Sequence, residues 1–244
     1  MPLAPPAVED VLRLAPSVEE ALLGPASADA VGRLQEMGPR LGEALDWAAE
    51  HDPERGLSLA AALWRYWALS GELAEGRQHL RWLLGLVPAL GVTRLRGLVS
   101  GALLSSVAGE HEAAEAAAQM AMPLARALDE EVSQGYLELV CARRARAVAD
   151  ATGAAAHAEE ALERFRGVHH AWGTAVALLE VSLAKRSAGR LEEAARLLGE
   201  AQRLGEGMGA FGPEELLLTL QQEAELRRLL GERYQSEWRR GSGD

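Results

Sequence analysis

Several groups of side chains in this chain are of types and spacings that could do chemistry. His111-Glu112-Ala113-Ala114-Glu115 sets a histidine and a carboxylate four residues apart, a separation that brings two zinc ligands onto one helical face. Glu115, however, stands where the zinc motif has a second histidine. The run follows Gly109, so an exposed first helical turn is expected, where acids suit the helix dipole. His169 and His170 are adjacent at a loop-to-helix junction. Neighbouring histidines alone define no metal geometry, and a solvated helix end is expected there. Cys141 is the single cysteine; with Ala142 and Ala145 beside it, it is expected to be a buried, inert thiol. Trp47, Trp64, Trp67 and Trp82 could cage a ligand. Trp64 and Trp67 share one helical face, and filling the junction between helices is the expected role. Acid pairs such as Glu159-Glu160 lie on amphipathic stretches, with nothing to make them converge as acid/base catalysis requires. No G-x-S-x-G elbow occurs, and Lys185, between Ala184 and Arg186, is not part of a phosphate-binding loop. An enzyme is not expected, and neither is a cofactor or a metal.

The composition narrows the partners. Acidic residues outnumber basic ones, 36 against 25, for a formal charge of −11, which disfavours direct contact with nucleic acid. One cysteine permits no intrachain disulfide. The opening MPLAPPAVED lacks the basic start and apolar run of a signal peptide, and no stretch has the length and apolarity of a membrane span. A cytoplasmic location without membrane contact is the expectation. Ala and Leu dominate, Ile and Asn are absent and Lys185 is the only lysine, a bias toward helices.

The elements that would position these residues follow a helical apolar period throughout. Residues 1–26 read as a Pro-rich loose start (1–7) and two short helices, 8–14 and 17–23, the second with Ser17 and Glu20 as a capping box. A helix over 28–50 is expected to bend or split at Gly38-Pro39. Asp52 is then the N-cap, and Pro53 the first residue, of the next helix. Further helices are expected over 54–70, 72–86, 93–108, 110–127, 131–148, 152–166, 170–188, 191–205, 213–230 and 232–239. Residues 27–241 thus form one repeat domain, with hairpins near 54–86, 93–127, 131–166, 170–205 and 213–239, and 242–244 form a tail. Tight turns are expected at Gly71, Gly109, Ala149, Gly189 and Gly231, separated by 38 to 42 residues.

SGELAEG, AGEHEAA and AGRLEEA, at 70–76, 108–114 and 188–194, resemble the turn of tetratricopeptide repeats. That family stacks antiparallel helix pairs into a superhelix. The family's small residues fall here on Gly76, Ala114, Ala154 and Ala194, and seven places on at Leu83, Ala121, Ala161 and Ala201. Small side chains let helix axes approach. The family's unit is shorter than these steps, so longer loops and irregular stacking are expected. The resemblance implies an all-α, tetratricopeptide-like superhelix of antiparallel hairpins, an α-solenoid. It also implies that the first helix of each pair lines the concave face. Mapped so, the concave face holds Arg65, Arg96, Tyr136, Arg143, Arg146 and Arg186. A basic groove on an acidic protein suits an acidic partner.

A second resemblance is more specific. Ala44-Leu45-Asp46-Trp47, Ala61-Ala62-Leu63-Trp64, Trp67 and Gly71-Glu72-Leu73, with Glu75-Gly76-Arg77, are similar to the start of the repeat region in bacterial signal-transduction ATPase regulators of the LuxR-type and AfsR-like kinds. Leu230-Gly231-Glu232, Tyr234, Trp238 and Gly241 resemble its close. The ATPase and DNA-binding parts of those regulators have no counterpart in this sequence. The implied function is a noncatalytic regulatory module that binds a protein or peptide, an acidic one, on the concave face. The alternative is a domain that senses a small anionic effector, as in maltose-regulon-type activators. A deep enclosed pocket near the Trp cluster would favour the effector, and an open groove the peptide.

Overall fold

The computed structural model describes residues 4–208 and 212–243. Met1–Leu3, part of the expected loose start, and Asp244 of the expected tail lie outside those residues. The chain divides into two compact units, Met1–Ser133 and Gln134–Asp244. Both are built from helices, with no strand among the described residues.

The first unit contains α1 (Pro6–Leu12), α2 (Ala15–Leu22), α3 (Ser27–Glu36), α4 (Gly38–His51), α5 (Pro53–Ala62), α6 (Trp64–Ser70), α7 (Leu73–Leu86), α8 (Val92–Val107) and α9 (His111–Ala127). Helix α1 already starts at Pro6, inside the stretch expected to be loose, because proline suits a first helical turn. The expected capping box is not formed. Helix α2 begins two residues earlier, and the Ser17 hydroxyl donates to the Leu14 carbonyl at 3.0 Å. The break at Gly38-Pro39 occurs, with Met37 between the helices. Asp52 caps α5 as expected, its carboxylate accepting the Arg55 N–H at 3.4 Å. Leu63 interrupts what the apolar period predicts as one helix over 54–70; no Gly or Pro marks that break. Trp64 and Trp67 are buried, and a Cβ on Gly76 would meet the Trp67 ring, so only glycine lets α7 approach α6 there.

The second unit begins within α10 (Glu131–Ala147) and continues through α11 (Ala151–Gly167), α12 (Ala171–Ser187), α13 (Leu191–Met208), α14 (Pro213–Leu230) and α15 (Arg233–Ser242). Helix α12 is buried at every residue from Trp172 to Ala184, between α11 and α13. The tail expected at 242–244 is partly helical: α15 runs on to Ser242, which is buried. Gly199 on α13 and Gly241 on α15 let two backbones meet. A Cβ at either position would strike the main chain of the other helix.

From Gly109 to Gly189 the connections are uniform, without the longer loops expected between hairpins. Helices α9 to α13 begin at residues 111, 131, 151, 171 and 191, each twenty after the last. Positive φ occurs at Gly109, Asp129, Ala149, His169 and Gly189 between them, with the same spacing. At each, the next residue's N–H bonds the carbonyl five back, as Asp150 does to Ala145 and His170 to Phe165, both at 2.9 Å. This is the Schellman termination, which closes a helix in three residues. The extra length per repeat sits in the 17-residue helices α9 to α12 rather than in loops. The small-residue positions Ala114, Ala121, Ala154, Ala161, Ala194 and Ala201 are all buried, as close helix approach requires.

Candidate binding site

Arg143 and Arg146 stand one turn apart on α10, and α12 brings one carboxylate to both. Glu180 accepts from Arg143 Nε at Oε1 and from Arg146 Nε at Oε2, each at 3.1 Å. The Arg143 and Glu180 side chains are 6% and 2% exposed, while Arg146 is 36% exposed. Glu215 of α14 lies 3.7 Å from Arg143 and accepts the Gly212 N–H at 2.9 Å, so the same carboxylate caps α14 and faces the pair. A buried guanidinium requires such compensation, because an unpaired charge inside a protein is strongly disfavoured. Beside the cluster a cleft of about 340 Å³ opens, lined by Arg146, Glu180, Ala154, Leu183 and Ser187 among others.

The six residues placed on a concave binding face divide into two groups. Arg65 is buried in the first unit, its Nε donating to the Leu22 carbonyl at 3.1 Å, so it ties the N-terminal helices down. Arg143 is likewise consumed inside the second unit. Tyr136 is buried, with its ring 5.3 Å from Phe165 and 5.8 Å from Trp172, so it belongs to the core rather than to a surface. These three do not present a free binding face. Arg96, Arg146 and Arg186 reach solvent. Arg96 lies 3.8 Å from Glu19, whose carboxyl is pushed above its ordinary range by burial. Arg186 is half-buried, and its Nε has no hydrogen-bond partner among the described residues.

The remaining candidates settle into the fold. His111 opens α9, with Glu112 in its first turn. No group of three metal-ligating side chains occurs among the described residues. Cys141 is buried. Trp47 stacks on His51 at 4.6 Å, and Trp82 is exposed. His170 is not the solvated end expected. It caps α12, its Nδ1 accepting the Gly173 N–H at 3.0 Å. Nε2 therefore carries the proton and faces the Tyr136 hydroxyl at 3.3 Å. Burial holds the His170 pKa below its ordinary value, so the folded chain keeps the imidazole neutral. The stability this contributes is present above about pH 6.5, where the unfolded imidazole is also neutral. It is lost as pH falls through the depressed folded value. Denaturation midpoints at pH 7.5 and pH 5 should differ in the wild type. His170→Asn keeps a capping oxygen without the titration and should narrow the gap. An equal pH dependence in both proteins would remove this role.

Sequence reasoning missed two features. Glu180 was legible only as one acid among many, since its partners lie 34 and 37 residues away. Helix α14 leaves Leu216, Leu217 and Leu220 exposed, a stripe that the LLLTL run at 216–220 carries openly.

No family model matches this sequence, and no curated protein matches it. Among solved structures the fold is similar to the crystal structure of BtubC (BKLC) from P. vanneervenii. The likeness has a TM-score of 0.58 at 16% identity and covers 85% of this chain and 90% of that one. At that identity the likeness speaks to the fold alone. The class it supports is the one the helices already define, an all-α solenoid-like array of antiparallel hairpins. No helix among the described residues is long and apolar enough to cross a membrane.

Proposed function

We propose that the chain is a noncatalytic binding module with a regulatory role in the cytoplasm, related to the repeat regions of signal-transduction ATPase regulators. In this reading the second unit grips an acidic peptide, or an acidic segment of a protein, at the cleft beside α10 and α12. The observation that carries it is the state of Arg146. Its Nε is held by Glu180, which fixes the guanidinium, while over a third of the side chain stays open at the cleft edge. A pre-oriented guanidinium loses little freedom when it takes a second carboxylate.

The test is selection of a phage-displayed random peptide library on the full chain. Enriched peptides should be rich in Asp and Glu. Arg146→Ala should weaken the best of them by at least tenfold, since a charge-assisted hydrogen bond contributes about 1.5–3 kcal/mol. Its salt dependence should flatten in parallel. Enriched peptides without acids, or affinities unchanged by Arg146→Ala, would refute the reading. Arg143 is unsuitable as a probe, because its removal would leave Glu180 with only its half-exposed partner.

A further inference from the structure

The chain carries 36 acidic residues, yet 76–109 contain none, a run of 34 residues against 17 in the next longest, 55–71. Arg77, Arg81, Arg94 and Arg96 lie within it. Its middle, 82–93, carries no charge at all and spans the end of α7, the connection and the start of α8. Trp82, Leu86, Leu90 and Val92 are exposed there, Leu90 at 78%. Pro88 and Ala89 are exposed between them. A contiguous run of this kind marks a surface that meets a partner. We propose that this hairpin tip docks on a lipid bilayer containing anionic lipid: the apolar end enters the headgroup boundary, and Arg81 and Arg96 meet the lipid phosphates.

The tip is held in shape from within. Arg94 Nη1 donates to the Leu84 and Val87 carbonyls at 2.8 and 2.5 Å, which ties the end of α7 to the start of α8, and Val87 is buried beneath. Arg81 lies five residues before Leu86 on α7, and Arg96 four after Val92 on α8. At the helical rise both arginines therefore stand about 6–8 Å behind the apolar end. Apolar faces that dock on bilayers sit about 5–10 Å into the headgroup boundary, so burying the tip brings both guanidinium groups to phosphate level. Trp82 stands beside Arg81 at that same level, where indole rings are favoured between water and hydrocarbon. This order, apolar at the end and cationic one turn behind on both helices, matches the layers of a bilayer with anionic headgroups. Arg81 is exposed and forms no ion pair among the described residues. Arg96 lies 3.8 Å from Glu19, whose burial raises its pKa and makes it a poor competing anion. Glu75 and Glu110, which bracket the run, stand at the far end of the hairpin, about 15 Å or more from the tip along the helices, and are screened from it by physiological salt. The sequence-based expectation of no membrane contact rests on the lack of a spanning helix, and a tip that enters one leaflet requires none.

The experiment is flotation of the full chain with vesicles of phosphatidylcholine alone and of phosphatidylcholine with about one third phosphatidylserine. The expected result is binding to the mixed vesicles, at least tenfold weaker binding to phosphatidylcholine alone, and weakening of the former by salt. Leu90→Glu should weaken binding to the mixed vesicles at least tenfold, and so should Arg81→Gln combined with Arg96→Gln. These side chains are exposed, so circular dichroism and the melting temperature should be unchanged. Brominated lipid should quench tryptophan emission in the wild type and leave that of Trp82→Phe unquenched. No flotation at millimolar lipid, equal binding to both vesicles, or indifference to Leu90→Glu overturns the proposal. A dimer seen by sedimentation and lost in Leu90→Glu, in place of flotation, assigns the tip to a second copy of the chain and overturns it as well. None of these results bears on Arg146, which lies in the other unit.

Discussion

Glu180→Ala is expected to lower the stability of the second unit by about 3–5 kcal/mol, because it removes the carboxylate that holds Arg143 and Arg146 where Arg143 is buried. Arg143 is 6% exposed; Glu180 accepts its Nε at 3.1 Å, whereas Glu215 lies at 3.7 Å, beyond hydrogen-bond length. Removing the nearer carboxylate takes compensation away from a desolvated guanidinium. Urea denaturation followed through Trp172, which lies within the same unit, would read the loss. A paired replacement separates the buried charge from simple packing: Glu180→Leu together with Arg143→Met removes both charges at similar volume. That pair should recover most of the stability lost in Glu180→Ala, since apolar substitutes for a buried ion pair are often neutral or better. A Glu180→Ala protein as stable as the wild type would mean that the cluster is hydrated and not the buried anchor described above.

Phe165→Ala is expected to cost a similar amount, about 3–5 kcal/mol, through lost burial and the cavity left behind. Phe165 is completely buried, and its ring occupies space that two glycines leave open. A Cβ on Gly135 of α10 would come within 2.8 Å of the ring, and one on Gly173 of α12 would overlap it. The ring therefore serves as the spacer between α11 and these neighbours, with Tyr136 and His170 against its edges. This arrangement makes the sign of a second substitution depend on the first. Gly173→Ala alone should destabilise by overpacking, by about 1–3 kcal/mol. In the Phe165→Ala background the added methyl enters vacated space and should restore stability. Coupling of that sign in a double-mutant cycle would establish the contact. Additive effects would contradict it.

The legible part of the structure was the part written locally. Gly71, Gly109, Ala149, Gly189 and Gly231 lie in short turns between helices, as their near-even spacing implied, and all five take positive φ. The intervening turns at Asp129 and His169 carry no glycine, so the true twenty-residue step read as forty with unexplained excess. The interruption at Leu63 was invisible because nothing in its own chemistry breaks a helix. The arginine positions were read from a repeat register, which assigns a helix and a direction but not a depth. Arg65 is drawn inward by a carbonyl 43 residues earlier, and Arg143 by a carboxylate 37 residues later. Burial of a charge is decided by such distant partners. A pattern that marks only the arginine therefore cannot separate a structural anchor from an exposed one. Arg146 differs from Arg143 by one turn of α10, and that turn is what leaves it at the cleft.

Amide hydrogen exchange of the full chain, with and without a selected acidic peptide, tests the proposed binding site most directly. The expected result is slowed exchange confined to the last turn of α10, the loop at 148–150, the first turn of α11 and the second half of α12, the segments that carry Arg146, Ala154, Glu180, Leu183 and Ser187. The same peptide should give no slowing in Arg146→Ala at equal concentration. Protection that falls instead on the exposed leucines of α14, or on the first unit, with the α10 and α12 ends unchanged, would contradict it.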